Sequence, residues 1–170
     1  MFGTCNNLSK QAERMMADIR IREGVQLVKK CDAIIKNKES EVAKYSKRME
    51  KETKLAMARS TSGSHRGALL GVKAVNRTKL QIEKALKVKE FVEKAQSDIK
   101  ATIVKGKEAA HEMALPYDME KIQKEIKKIE KECDSTSSST ETSDAESQQA
   151  MLQELLKLDA TTVQWRKLSS

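Results

Sequence analysis

Five basic residues recur at steps of one to three positions between 44 and 54: Lys44, Lys47, Arg48, Lys51 and Lys54. Residues three and four apart share a helix face, so on a helix this spacing lines up a row of cations. A second basic group, Arg66, Lys73, Arg77 and Lys79, follows shortly after. The chemistry open to such rows is electrostatic. They attract an anionic surface, and each Lys or Arg close to a layer of anionic lipid headgroups is worth about 1 kcal/mol. The simpler alternative is a pair of solvated helix faces.

Residue types that carry covalent or metal chemistry are not arranged for it. His65 and His111 lie far apart, with no Cys or carboxylate at ligand spacing, so no zinc site is expected. No GxxxxGK[ST] loop occurs to cradle a phosphate. Cys5, Cys31 and Cys133 are odd in number and widely spaced, and no CxxC is present. They read as reduced thiols of a cytosolic protein. The carboxylates share helical stretches with lysines, where they make i,i+4 pairs. The chain is therefore expected to be no enzyme and to need no cofactor.

These cations must be positioned by helices. Aromatic residues are only 3% of 170, and charged residues are 34%. Aromatics supply much of the buried area of compact cores, so this composition favours long helices that bury narrow stripes. Pro116 is the single proline. From about 9 to 57 the sequence reads as one helix, with an apolar series every seven residues: Ile21, Val28, Ile35, Val42 and Met49. Leu27, Cys31 and Ile34 widen that stripe in its first half. Ser60-Thr61-Ser62-Gly63-Ser64 is a turn signal, with Ser64 as a candidate N-cap.

A second helix is expected from about 65 to 113, with Leu69, Val72, Val75, Ile82, Leu86, Val92, Ala95, Ile99 and Ile103 on its apolar side. Gly71 and Gly106 weaken it by about 1 kcal/mol each relative to Ala. Pro116 ends the pattern, and Asp118 is placed to cap a third helix from about 119 to 132, carrying Met119, Ile122, Ile126 and Ile129. Residues 9–132 thus form one all-α core, a long antiparallel helical hairpin plus shorter helices.

Residues 133–147 are small, polar and acidic, and are expected to be a disordered Ser/Thr-rich linker. A short helix from about 148 to 159 follows, with Met151, Leu152, Leu155, Leu156 and Leu158. It is too short to be stable alone in water, which suits a docking peptide.

Charge is unevenly distributed. Residues 1–110 hold 25 Lys/Arg against 13 Asp/Glu, and residues 111–170 hold 8 against 12. A basic body prefers anionic surfaces, and an acidic tail is able to fold back and compete for it. No apolar run approaches the roughly 20 residues that span a bilayer, and the first residues lack the apolar core of a signal peptide. Any membrane contact is expected from the surface. Nucleic acid is not expected as a partner, because no aromatic interleaving or binding motif accompanies the basic residues.

Three blocks resemble the ESCRT-III family, in particular its Snf-seven type, also called charged multivesicular body protein four or vacuolar sorting protein thirty-two. Arg66-Gly67-Ala68-Leu69-Leu70-Gly71-Val72-Lys73 is similar to the family's start of helix two. Lys107-Glu108-Ala109-Ala110-His111, followed by Asp118-Met119-Glu120-Lys121-Ile122, resembles the passage out of that helix. Met151-Leu152-Gln153-Glu154-Leu155-Leu156-Lys157-Leu158 resembles the C-terminal motif bound by the microtubule-interacting-and-transport (MIT) domain of the Vps-four AAA ATPase. In the family a basic run usually follows the Leu-Lys of helix two, whereas here Ala74-Val75-Asn76 follows Lys73.

The resemblance implies a cytoplasmic subunit, peripheral on endosomal membrane, that polymerises with itself and with other ESCRT-III subunits. It implies vesicle budding and scission in multivesicular body sorting and vacuolar transport, with disassembly by the ATPase. Met151, Leu152, Leu155 and Leu158 would dock that ATPase, or an adaptor of the Bro-one type, since Glu154 and Asp159 stand where related motifs are often basic. Phe2 would insert at the membrane interface, as N-terminal hydrophobic residues do in the family. The competing reading is a coiled-coil scaffold or adaptor that ignores membranes.

Overall fold

The computed structural model describes residues 3–109 and 114–135, with side chains from 10 to 107 and from 114 to 135. The described residues are all-α: α1 runs Gly3–Thr61, α2 runs His65–Ala109 and α3 runs Met119–Ser135. The linker beyond α3, the short helix expected at 148–159 and Phe2 lie outside them. The chain divides into two compact units, Met1–Lys36 with Lys89–Lys128, and Asn37–Val88 with Ile129–Ser170.

In the first unit α1 buries Ala17, Gly24, Leu27 and Cys31, and α2 buries Val92, Ala95, Ile99 and Ile103. Leu27 and Cys31 are buried as the sequence pattern expects, whereas Ile21, Val28 and Ile35 of its main series are only half-buried. A seven-residue series is buried on α1, but it is Ala17, Gly24 and Cys31, with Leu27 beside it. Gly24 permits this, because a Cβ there would stand 2.9 Å from Ile103 Cδ1 and 3.2 Å from Leu115 Cδ2. One polar side chain interrupts the apolar stripe. Gln96, 8% exposed, donates from Nε2 to Asp32 Oδ1 at 2.6 Å and to the Val28 carbonyl at 3.3 Å, and its Oε1 accepts from Lys100 Nζ at 2.9 Å. Ile122 of α3 is fully buried. Asp118 caps that helix, its Oδ1 accepting from the Lys121 N–H at 2.7 Å. Phe91 and Tyr117 meet edge to face, ring centres 6.1 Å apart.

In the second unit Val42 and Met49 pack with Val75, Ile82 and Ala85, flanked by Tyr45 and Leu86. Nearer the turn, Ala56 packs with Val72 and Met57. Contact partners step in opposite directions along the two helices: Glu52 with Thr78, Ala56 with Gly71, Arg59 with Gly67. The turn is shorter than expected, because α1 continues through Thr61. Thr61 and Ser62 donate their hydroxyls back to the Ala58 and Arg59 carbonyls, and this stabilises the last turn. Gly63 then adopts φ +79°, the left-handed conformation that ends a helix cheaply only at glycine. The Ser64 carbonyl accepts the first bond of α2, from the Ala68 N–H.

The polar segment expected to start as a linker at 133 begins instead as helix. Cys133 is buried, and Asp134 accepts from Lys84 Nζ at 3.0 Å on both carboxylate oxygens. Lys38 Nζ lies 3.0 Å from Glu41 and 3.7 Å from Glu130. Composition alone does not announce such long-range ion pairs.

Candidate functional site

Helix α1 of the second unit turns Val42, Met49 and Ala56 toward α2. Its opposite side carries Lys44, Lys47, Arg48, Lys51 and Lys54, every one exposed. The sequence expectation of a cationic row is met geometrically for these five. Two are held by carboxylates on their own helix: Arg48 Nε donates to Glu52 Oε1 at 2.8 Å, and Lys54 Nζ to Glu50 Oε1 at 3.0 Å. The Glu52 hydrogen bond, more than its charge, raises Arg48 above an already high ordinary value. Lys44, Lys47 and Lys51 face solvent. Exposed ion pairs contribute little to stability, so all five ammonium and guanidinium groups remain able to exchange a carboxylate for an outside anion.

The second basic group does not join the first. Arg66, Lys73 and Arg77 are exposed on the α2 side opposite Val75 and Ile82. Each helix turns its core stripe toward the other, so their outer sides point away from one another. A single flat surface therefore meets one row or the other. Lys79 leaves the group altogether. It lies four residues after Val75 and three before Ile82, on the flank of the core stripe, and is half-buried. Lys79 thus stands apart from the exposed side that carries Arg66, Lys73 and Arg77.

Two features escaped the sequence pattern. Leu55, 55% exposed, sits within the α1 row, four residues past Lys51 and four before Arg59. Arg59 is itself exposed, and its Nη1 makes only a 3.5 Å contact with the Gly67 carbonyl. On α2, Leu70 is 60% exposed, four residues past Arg66 and three before Lys73. The available signal was a leucine off the buried series inside a lysine run.

The first unit holds a groove of about 460 Å³, lined in part by Arg20, Lys30, Leu115, Tyr117 and Lys121. Among the described residues no group of His, Cys, Asp and Glu is placed to hold a metal ion. No described helix is long and apolar enough to cross a membrane. Phe2, His111 and the docking candidates Met151, Leu152, Leu155 and Leu158 lie outside the described residues. No family model, curated protein or solved structure matches the chain.

Proposed function

We propose that the chain is an ESCRT-III-like subunit. In this reading α1 and α2 form one long antiparallel hairpin, and copies of it polymerise on endosomal membrane to drive vesicle budding and scission. Other ESCRT-III subunits join the filament, and a Vps-four type AAA ATPase or a Bro-one type adaptor engages the C-terminal leucines. The observation that carries the reading is the cationic row of α1, exposed on the side opposite the core. Anionic lipid is the partner such a row suits. Long helices with thin cores support the second part, because they leave helix surfaces available to further copies.

The test is cosedimentation with phosphatidylcholine vesicles, with and without phosphatidylserine, followed by electron microscopy. Binding is expected to need phosphatidylserine and to weaken with salt, and filaments are expected on the vesicles. Deleting residues 136–170, which keeps α3 whole, is expected to increase assembly by removing the acidic tail. A chain that ignores both vesicle types in full-length and truncated form is a scaffold of the non-membrane kind. Assembly that truncation leaves unchanged removes the tail's restraining role from the mechanism.

A further inference from the structure

Leu55 stands outside the buried series of α1 and inside its row of cations. It is more than half exposed, on the side of α1 turned away from Val42 and Met49. Arg48 and Lys51 lie two turns and one turn before it, Lys54 adjoins it, and Arg59 lies one turn after. Each of these cations is exposed. Helix faces that combine a few apolar side chains with surrounding Lys and Arg lie in the plane of a lipid interface, the apolar groups below the headgroups and the charges among them. Long basic side chains reach up to the headgroups while their methylene stems line the apolar layer.

We propose that Leu55 inserts into the acyl boundary of an anionic bilayer and makes the α1 row, rather than the α2 row, the membrane-facing side. This rests on the membrane reading above and adds to it a contact that salt does not screen. Charge complementarity selects a bilayer as occupant. The same face of a second copy would bring the same cations together and be repelled, whereas anionic headgroups neutralise them. The choice of α1 follows from number: Leu70 is equally exposed, but only Arg66, Lys73 and Arg77 surround it on the α2 side.

The experiment uses the full-length chain, phosphatidylserine-containing vesicles and two salt concentrations. Leu55→Ser is expected to lower vesicle affinity about tenfold, equivalent to roughly 1.4 kcal/mol. The loss should be as large at high salt as at low salt, whereas Leu70→Ser leaves affinity unchanged. Both positions are exposed, and circular dichroism is expected to show unaltered helix content. In a second arm, Leu55→Trp is placed in a Trp165→Phe background so that its emission reports on position 55 alone. A blue shift on adding these vesicles supports insertion.

A wild-type chain that fails to bind overturns the membrane reading, and the insertion with it. Wild-type binding with unchanged Leu55→Ser affinity overturns the insertion alone. So does a larger loss in Leu70→Ser. A blue shift that follows protein concentration without vesicles assigns Leu55 to a second copy and also overturns the proposal.

Discussion

Gly71 of α2 lies so close to Ala56 of α1 that a Cβ at position 71 would stand 2.6 Å from the Ala56 Cβ and 3.0 Å from its Cα. The obstacle is a short side chain and backbone, which do not swing aside. Alanine at 71 gains about 1 kcal/mol in helix propensity but overpacks the contact, at a cost of roughly 1–3 kcal/mol. Gly71→Ala is therefore expected to destabilise the protein by about 1 kcal/mol in urea unfolding. Adding Ala56→Gly should recover part of the packing cost, and a double-mutant cycle measures that coupling.

The cap of α3 rests on one short bond, from the Lys121 N–H to Asp118 Oδ1. Asp118→Ala is expected to cost about 1 kcal/mol, whereas Asp118→Asn should cost a few tenths, since Asn caps nearly as well. Hydrogen exchange of the amides at 120–122 reads the difference, which should be confined to that helix end.

Cys31 is fully buried on α1. Burial pushes its thiol pKa above 9.0, the neighbouring Asp32 carboxylate adds to the rise, and Lys100 partly opposes it. The folded protein thus holds the proton more tightly than the unfolded chain. The stabilisation is present below the thiol's ordinary pKa and is lost as pH climbs through the higher folded value. Alkylation resolved by peptide mass is expected to modify Cys31 far more slowly in the native protein than in urea at pH 8, and stability is expected to fall above pH 9. Equal rates in the two states would show that the thiol is not protected.

The diverging basic rows make separable charge reversals. Lys44→Glu, Lys47→Glu and Lys51→Glu together are expected to reduce affinity for phosphatidylserine vesicles at least a hundredfold, from about 1 kcal/mol per cation removed and 1.4 kcal/mol per factor of ten. Arg66→Glu, Lys73→Glu and Arg77→Glu together should have a smaller effect, because that row faces the other way. Equal losses would mean that both sides meet lipid.

How far this structure was legible in the sequence differs from element to element. The three-and-four spacing of Val72, Val75, Ile82, Val92, Ala95, Ile99 and Ile103 marks the buried side of α2 correctly, because aliphatic burial is what fixes it. The same logic places α1 only in part in the first unit. Leu27 and Cys31 are buried as expected, but Ile21, Val28 and Ile35 are only half-buried while the small Ala17 and Gly24 are buried, Gly24 because Ile103 and Leu115 approach too closely for a Cβ. The α1 cations could be read from spacing, since they depend only on helix geometry. Lys79 could not be separated from Lys73 and Arg77 until the core stripe of α2 was located. The end of α3 depends on Lys84 meeting Asp134 across 50 residues, a distance over which local pattern carries no information.

Aliphatic side chains that repeat every three or four residues fit almost as well after sliding one helix past the other by two turns. Gln96 breaks that near-degeneracy. Its amide donates to Asp32 and to the Val28 carbonyl; a slip of seven residues in one direction would put Val25 in place of Asp32 and remove that acceptor, whereas the opposite slip would offer the longer Glu39 carboxylate. A single polar group in an apolar seam fixes alignment at some expense of stability. Replacing Gln96 with leucine would thus leave a seam that adheres well but has lost one polar mark of its alignment.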